Sequence, residues 1–387
     1  MSGTHVIVIG GGYAGTLAAN RLRRHPDVEV SLVNPRPQFI ERIRLHQYVA
    51  GTHPATVDFA TVLDEGVRLV VDAAREIDAG GRRVALATGA QLTYDYLIYA
   101  VGSTSSATTT VPGAAEFAYP LAEFEDAQRL RAALAPMPAD AAVCVVGGGL
   151  TGIEAAAELA EAGRPVTLVC GGRLAPSIGA RARRSTARAL RCLAVTVREA
   201  DTVRAVHAGA LTLADGTVLP SALTVWTAGF GVPGLAAASG LTTDELGRLV
   251  TDATLTSIDS ARIVAAGDAA APAGRPLRMS CQAAEPLGAQ AADTVLSRLA
   301  GAAPAAVDQA MVAQCISVGR RRATTQLVRR DDTPVAAFVA GRPAAAIKEA
   351  ICRGTVWALR REAARPGSYR WLRGGTRLTP AEQQERV

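Results

Sequence analysis

A glycine-rich stretch near the start of this 387-residue chain has the spacing that binds a phosphate group. An apolar, β-branched run over 6–9 predicts a buried strand, and a helix-prone run follows over 16–24. Between them lies the pattern G-x-G-x-x-G, formed by Gly10, Gly12 and Gly15. Such a turn brings backbone N–H groups and the positive end of a helix dipole next to a pyrophosphate.

The same pattern occurs a second time. The strand-like run 143–146 leads into a second set of three glycines, Gly147, Gly149 and Gly152. One such match is weak, but two predict two dinucleotide sites, with a tightly held flavin (FAD) at the first and an exchangeable NAD(P)H at the second. A duplication that is structural only is the alternative.

The ends of the strands that follow each turn predict further nucleotide contacts. This fold usually places an acidic residue about twenty positions past the glycines, where it binds the ribose. Asn34 takes that place in the first unit, and a simple strand-end turn is the alternative. In the second unit the strand ends at Cys170-Gly171-Gly172-Arg173 without a carboxylate, which favours NADPH, with Arg173 as a contact of its phosphate.

Other predicted cofactor contacts lie where apolar runs end in small or polar residues. Asp268, after the run 263–266, is placed to accept hydrogen bonds from a ribityl chain, and a helix predicted from 279 to about 299 would direct its N-terminus at the flavin. Gly229 ends a similar run in the second unit. The remaining predicted contacts are Tyr13, Ala14, Arg36, Arg42, Ala74, Ala100, Val101, Gly102, Gly267, Ser280 and Cys281.

Two residues are predicted to act catalytically, Glu154 and Gln282. Glu154 follows the second turn and can point toward the junction of flavin and nicotinamide, where Arg42 or Arg44 could pair with it; the alternative is a carboxylate favoured by the helix dipole. The stretch 39–47 is predicted to form an amphipathic helix past the flavin, and its His46 is a weaker acid–base candidate.

The order of the predicted elements indicates an α/β fold with two Rossmann-like dinucleotide-binding domains and a small C-terminal appendage. The FAD-binding domain is predicted over 1–112 and 247–303, and the NAD(P)H-binding domain over 113–246. The segment 304–387 is predicted to hold a small sheet, with strands near 314–318, 325–328 and 334–339, followed by a basic amphipathic helix over 344–361.

Composition restricts the class of protein. The net charge is +6, and residues 341–387 alone hold ten basic residues against four Glu, so the rest is near neutral and binding to nucleic acid is not expected. The six cysteines are scattered, without the spacing of a zinc site or a disulfide framework, so no metal is predicted. A start without an apolar leader predicts a cytoplasmic protein.

Together these motifs make the chain resemble the FAD-dependent pyridine nucleotide–disulfide oxidoreductase superfamily, and within it the type II NADH dehydrogenase and apoptosis-inducing factor-like group. The resemblance spans about residues 4–300. It implies that hydride passes from NAD(P)H to FAD and that electrons leave for a quinone or another small acceptor. No cysteine precedes Cys144, so the redox cysteine pair of the disulfide reductases is missing.

The acceptor is the open part of the resemblance. Type II dehydrogenases line the quinone entrance with A-Q-x-A-x-Q, whereas this chain has Cys281-Gln282-Ala283-Ala284-Glu285-Pro286. Gln282 and Ala284 match, and Cys281 and Pro286 do not. The alternatives are a tailoring oxidoreductase for one small molecule, a non-catalytic nucleotide-sensing flavoprotein, and a reductase for a ferredoxin.

The C-terminal segment carries two further expectations. Its arginines and two of the three tryptophans suit a helix on an anionic membrane surface, as in type II dehydrogenases, which would make the protein peripheral on the inner face of the membrane. The alternative is a helix packed on the flavin domain or on a second copy in a homodimer.

Overall fold

In the computed structural model, residues 3–105, 111–374 and 376–377 are described, so the end of the predicted C-terminal segment lies outside them. A five-stranded sheet carries the first glycine turn, and all its strand pairs are parallel. Its central apolar strands are buried on both faces, as is usual where helices cover a parallel sheet, whereas the edge strand over 67–71 is partly exposed. In spatial order the strands are Ile263–Ala265, Tyr96–Tyr99, Thr4–Ile9, Val28–Asn34 and Val67–Val71.

A second five-stranded sheet carries the second glycine turn and is also parallel throughout. Its strands in spatial order are Ala118–Pro120, Leu223–Trp226, Val143–Val146, Val166–Val169 and Thr196–Arg198. In both sheets the glycine-turn strand lies in the middle, so the turn opens at the carboxyl edge between neighbouring strands, where ligands of such sheets bind. The predicted fold class is confirmed.

Smaller sheets surround these two. Three have three antiparallel strands each: Ala74–Asp78, Arg83–Leu86 and Gln91–Thr93; Val203–His207, Ala210–Leu213 and Val218–Pro220; Ala313–Ser317, Ala323–Val328 and Pro334–Ala340. The last is the predicted C-terminal sheet. Three are strand pairs: Gln38–Ile40 with Thr56–Asp58, Leu249–Thr251 with Ala270–Pro272, and Asp308–Gln309 with Thr376–Arg377.

The α-helices of the described residues are α1 (Tyr13–Leu22), α2 (Leu45–Val49), α3 (Ala114–Phe117), α4 (Phe124–Leu134), α5 (Leu150–Glu161), α6 (Ala180–Cys192), α7 (Leu235–Ala238), α8 (Cys281–Leu299) and α9 (Gly341–Ala364). Short 3₁₀ turns lie at Arg42–Arg44, Phe59–Thr61 and Gly267–Ala269. Within the described ranges no helix is long and apolar enough to cross a membrane.

Three helices around the first sheet shape the site. Helix α8 lies very close to α1, because a Cβ on Gly288 would come 2.2 Å from the carbonyl oxygen of Ala14. Helix α9 packs on α1 as well, and Arg21 of α1 joins the three helices through Asp293 at 2.8 Å and Glu362 at 3.2 Å. Helix α9 is longer than the C-terminal helix predicted over 344–361. Its contacts with α1 fix one of its faces to the first domain.

The amphipathic helix predicted over 39–47 is wrong. The stretch begins as the strand Gln38–Ile40, continues as a 3₁₀ turn and becomes helical only at α2. The cause is tertiary: the ring of Phe39 is fully buried and contacts Tyr13 edge-on, with ring centroids 5.1 Å apart. Packing of this single ring holds the backbone extended against a helical pattern.

Candidate functional site

A cavity of about 860 Å³ runs along the carboxyl edge of the first sheet and reaches α5, α8 and α9. Its size is in the range of cofactor and ligand sites. Most residues predicted to bind the first cofactor or to act catalytically line it: Gly10, Gly12, Tyr13, Ala14, Asn34, Arg36, Arg42, Ala74, Ala100, Val101, Gly102, Glu154, Gly267, Asp268, Ser280, Cys281 and Gln282. Gly15 does not line the cavity, but it allows α1 to lie close to the backbone of the turn.

The first glycine turn fits a pyrophosphate. A Cβ on Gly10 would lie 2.3 Å from the carbonyl oxygen of Ala100, and one on Gly15 would lie 1.8 Å from the carbonyl oxygen of Gly10. A Cβ on Gly12 would meet nothing within 4 Å, so this position faces open space in the cavity. Among the described residues no side chain caps α1, which leaves its first N–H groups for an anion.

Asn34 replaces the expected acidic residue and has a different task. Its Oδ1 accepts a hydrogen bond of 2.9 Å from the N–H of Gly11, and its Nδ2 donates to the carbonyl oxygen of Arg36 at 2.7 Å. The amide therefore fixes the glycine turn to the end of the next strand. Contact with a ribose stays a prediction.

Asp268 and Arg42 meet through Ser103. The Ser103 hydroxyl donates to Asp268 at 2.7 Å and accepts from Arg42 at 2.9 Å, while the Arg42 and Asp268 side chains are 3.9 Å apart. Burial lowers the pKa of Arg42, and Asp268 only partly opposes this. The predicted pairing of Arg42 with Glu154 is wrong, because this arginine is held by Ser103, Asp268 and the carbonyl oxygen of Ala122.

Arg36 connects the two glycine-turn units. It pairs with Glu123 at 3.0 Å and with Glu125, both at the start of α4. The hydrogen bonds that Arg36 donates to Glu125 are the largest cause that raises the pKa of Arg36 above its ordinary value. Arg36 lines the cavity from this position.

The second glycine turn repeats the geometry of the first. A Cβ on Gly152 would lie 1.9 Å from the carbonyl oxygen of Gly147, one on Gly147 would lie 2.5 Å from the Thr227 hydroxyl, and one on Gly149 would meet nothing within 4 Å. Helix α5 also lacks a side-chain cap. This turn therefore offers a second anion site. Its three glycines do not line the large cavity, and neither do Arg173 and Gly229, but Leu150 and Thr151 between the glycines do.

Beyond this turn, Arg173 is exposed, as the phosphate contact requires. The fold brings Arg183 of α6 near Arg173. Burial lowers the pKa of Arg183, and the positive charge of Arg173 lowers it further. Glu199 lies in the same region and acts on Arg183 with the opposite sign. The strand end itself carries the side chain of Cys170, whose pKa burial raises to about 12.

Glu154 is buried and ion-paired, but not with an arginine. Its Oε1 lies 3.0 Å from Nζ of Lys348 and accepts hydrogen bonds from the N–H and hydroxyl of Ser317, both at 3.0 Å. His46 lies 3.7 Å from Oε2. Arg44, the other predicted partner of Glu154, instead binds Glu349 at 3.0 Å.

The charges in this cluster follow from these contacts. Burial alone would raise the pKa of Glu154, but Lys348 and then His46 lower it below its ordinary value. For Lys348 burial acts in the lowering direction, and Glu154 outweighs it, so the pKa of Lys348 is raised. Burial lowers the pKa of His46 to about 4, so this histidine is neutral at pH 7.

The N-terminus of α8 lines the cavity, and its direction toward a flavin stays a prediction. Ser280 is its N-cap and accepts a hydrogen bond from the N–H of Ala283 at 3.3 Å. Burial raises the pKa of Cys281 to about 12, which favours the thiol over the nucleophilic thiolate. Pro286 has no N–H for the carbonyl oxygen of Gln282, and Nε2 of Gln309 donates to that oxygen at 2.7 Å instead.

Sequence reasoning missed two groups of this cavity. Lys348 is the only lysine among 41 basic residues, and that singularity was a signal that could have drawn attention to it. Glu285 carried no such signal, because nothing in its neighbours predicts that its carboxyl is buried in the wall of the cavity.

Comparisons with known proteins agree with this geometry. Residues 4–310 match the family model of the pyridine nucleotide-disulphide oxidoreductases. An NADH dehydrogenase-like protein of Mycobacterium tuberculosis is 35% identical over 328 residues, covering 76% of this chain and 81% of that protein. The demethylphylloquinone reductase NdbB of Synechocystis is 29% identical over 290 residues, covering 68% of this chain and 71% of that protein.

The structure of NDH2 from Plasmodium falciparum in complex with NADH superimposes with a TM-score of 0.79, covering 93% of this chain and 97% of that chain. At 15% identity this likeness shows the fold alone. With dehydrogenases and a quinone reductase among the relatives, neither a tailoring enzyme nor a non-catalytic sensor is favoured. The chain belongs to the pyridine nucleotide-disulphide oxidoreductase family and is an FAD-dependent NAD(P)H oxidoreductase.

Proposed function

We propose that this protein is an NAD(P)H:quinone oxidoreductase. The observation that carries the proposal is the cavity, which is lined both by the first glycine turn and by an apolar wall. That wall is formed by Val312, Ile351, Trp371 and Leu372, together with Cys281 of α8. A flat apolar ring with carbonyl groups suits such a wall, and the quinone reductase among the relatives supports the same acceptor class.

The residues that line the cavity have distinct tasks in this proposal. The first glycine turn holds the pyrophosphate, and Asp268 and the N-terminus of α8 orient the rest of the cofactor. Bound FAD would supply the redox chemistry, accepting hydride from the nicotinamide and passing electrons to the acceptor. The ion pair of Glu154 and Lys348 holds a fixed dipole beside the redox centre, which is the catalytic role we assign to Glu154.

The second turn is proposed to bind the nicotinamide nucleotide, with a preference for NADPH. Arg173 is exposed, Arg183 lies near it, and the strand end itself carries no carboxylate. Glu199, whose charge acts on Cys170 and Arg183, is the acidic residue that the two arginines must outweigh. Substitution of Arg173 by Ala should raise the KM for NADPH and leave that for NADH nearly unchanged. The domain boundaries 112, 246 and 303 are proposed with this division of labour and stay predictions.

The test is anaerobic stopped-flow reduction of the purified flavoprotein, followed by mixing with a water-soluble quinone. We expect NADPH to bleach the flavin faster than NADH and the quinone to restore the colour rapidly. Bleaching without reoxidation by quinone would contradict the proposed acceptor. If neither nucleotide bleaches the flavin, the hydride transfer itself is contradicted.

The surface around the cavity supports a second part of the proposal, contact with an anionic membrane. Val312, Ile351 and Leu372 line the cavity and are also exposed, by 48%, 38% and 49%. On α9 the exposed Trp357 lies under the guanidinium of Arg361, 5.1 Å from its ring centroid. Apolar side chains with neighbouring arginines suit the interface of a bilayer that holds anionic lipids, and a lipid-soluble quinone could enter there.

Sedimentation with vesicles tests this contact. The protein should bind vesicles of phosphatidylcholine with phosphatidylglycerol more strongly than vesicles of phosphatidylcholine alone, and W357A should weaken binding. Equal binding to both compositions would contradict the electrostatic part. A homodimer stays a prediction, which light scattering checks.

A further inference from the structure

We propose that Glu285 is the acid that donates a proton to a carbonyl oxygen of the acceptor, an inference that rests on the quinone reductase function proposed above. The residue is placed on α8, one turn beyond Cys281 and Gln282. Position 286, next to it, holds proline where the resembling segment of type II dehydrogenases has a glutamine. Pro286 has no polar side-chain atom to offer an acceptor, whereas the neighbouring Glu285 lines the same cavity.

The two carboxyl oxygens of Glu285 differ in their surroundings. Oε2 accepts a hydrogen bond of 3.3 Å from the hydroxyl of Tyr369. Oε1 is buried and has no hydrogen-bond partner among the described residues. A buried oxygen without a partner is costly, so it marks a place where a ligand group completes the site.

Tyr369 keeps the carboxyl in position. Its backbone N–H donates to Glu362 at 2.6 Å, and its carbonyl oxygen accepts from Arg21 at 3.3 Å. Its ring stacks on Trp371, with centroids 6.4 Å apart, and the Trp371 indole N–H donates to the carbonyl oxygen of Asp308 at 3.1 Å. The hydrogen bond to Glu285 therefore comes from a segment fixed at several points. Tyr369 is a positioning residue.

The groups around Glu285 leave it without a counter-charge. Within the part of the chain that the structure describes, no Arg, Lys or His forms an ion pair with this carboxyl. Burial raises the pKa of Glu285 to about 8, and the hydrogen bond from Tyr369 opposes this only in part. The titratable and charged groups that face this cluster from the elements packed around it are Tyr13 and Arg21 of α1, Glu41, Cys281 of α8, Lys348, Cys352 and Glu362 of α9, and Tyr369.

The proton balance calls for such an acid. Conversion of a quinone to a quinol takes two electrons and two protons. NAD(P)H supplies both electrons and one proton as hydride, so one further proton is needed. The O–H bond on Oε1 of Glu285 breaks as an O–H bond forms on the quinone oxygen, and solvent then reprotonates the carboxylate.

The experiment measures the rate at which the NADPH-reduced protein is reoxidised. It compares the wild type with the variants E285Q and Y369F, with pH varied on either side of about 8. The matched control is E116Q, the same chemical change on an exposed glutamate of α3 that does not line the cavity. Each protein reacts with a water-soluble quinone and, in parallel, with ferricyanide, which takes up one electron and no proton.

For the wild type we expect the quinone rate to fall above about pH 8, where Glu285 loses its proton. E285Q should react with quinone on the order of 100-fold more slowly at neutral pH, without this decrease, while its ferricyanide rate is unchanged. Y369F should keep the decrease but shift it to higher pH. E116Q should match the wild type.

Two results would overturn the inference. One is an E285Q quinone rate and pH profile equal to those of the wild type. The other is a general loss of electron transfer in E285Q, seen as an equal decrease of the quinone and ferricyanide rates or as slower reduction by NADPH. That result would mean that Glu285 supports the cofactor and does not protonate the acceptor. If the wild type itself is not reoxidised by quinone, the proposed function fails, and that outcome is separate from a wild-type reaction that E285Q leaves intact.

Discussion

Two glutamates line the same cavity, and both are nearly inaccessible to solvent, yet their pKa values are shifted in opposite directions. Glu154 lies 3.0 Å from Lys348 and its pKa is lowered. Among the residues that the structure describes, Glu285 has only the hydroxyl of Tyr369 as a hydrogen-bond partner, and burial raises its pKa to about 8. The first is an anion at neutral pH and the second a neutral acid.

The difference shows that burial does not decide the charge of a carboxyl; its partner does. Removal from water disfavours both anions, and one nearby cation restores the charge of Glu154. One wall of the cavity thus holds a fixed ion pair, and another holds a proton that can be donated. Enzymes often separate such roles between two carboxyls whose surroundings differ.

The largest expected effect comes from removing the cation. K348M leaves Glu154 buried without a counter-charge, and loss of one partner of a buried ion pair costs about 3–5 kcal/mol of stability. Denaturant unfolding at pH 7 measures this. The control is the double variant E154Q/K348M, in which most of the loss should be recovered. Equal stability of K348M and the wild type would show that Lys348 does not stabilise the charge of Glu154.

Replacing Glu285, the neutral acid, should instead increase the stability of the folded protein. The folded protein keeps the proton of Glu285 up to about pH 8, whereas the unfolded chain releases it near the ordinary pKa of 4.5. Wild-type stability therefore falls as pH rises between these values, and none of that loss is present at lower pH. Since one pKa unit corresponds to about 1.36 kcal/mol, E285Q should be more stable than the wild type by about 3 kcal/mol at pH 7.

Unfolding measured as a function of pH checks this difference. The gap between E285Q and the wild type should shrink toward pH 5 and reach its full size above about pH 8. E116Q should keep the wild-type slope. A gap that is constant over the whole range would mean that the substitution acts through packing and not through the proton.

The other half of the ion pair can be observed at a single atom. Lys348 is the only lysine in the chain, so ¹⁵N-lysine labelling gives one side-chain signal. In E154Q burial is no longer opposed, and the pKa of Lys348 should fall from its raised value to below the ordinary 10.5, a change worth at least about 1.4 kcal/mol. An unchanged titration would contradict the assigned pairing.

The smallest effect concerns the hydroxyl beside Glu285. Y369F removes one hydrogen bond to a neutral acid and should cost about 1 kcal/mol of stability. Because that bond lowers the pKa of Glu285, its loss should raise the pKa further. The same unfolding series should show the pH-dependent decrease extended to higher pH, and a shift to lower pH would contradict the assignment.

The same comparison explains what the sequence could predict. Both glycine turns, the strand ends at Gly102 and Asp268, and the start of α8 follow from local patterns, because a turn between a strand and a helix is specified by neighbouring residues. The partner of Glu154 could not be found this way, since Lys348 lies almost two hundred positions away on α9. Only the complete fold brings the two side chains together. The buried ring of Phe39 overrode a helical pattern for the same reason.

Glu285 marks the limit most clearly. Its carboxyl is neutral because Tyr369 and the turn after α9 close over it, and no local motif encodes that closure. The departure at Pro286 drew attention to the segment, but it suggested a missing contact with the acceptor and not the acid next to it.

The most direct test is infrared difference spectroscopy of the oxidised protein as pH is raised from about 6.5 to about 9.5, on either side of the raised pKa of Glu285. The wild type should lose the carbonyl absorption of one protonated carboxyl. This loss should be absent in E285Q and retained in E154Q. If the loss of this absorption with rising pH also occurs in E285Q, or does not occur in E154Q, the two glutamates do not hold the opposite charges described here.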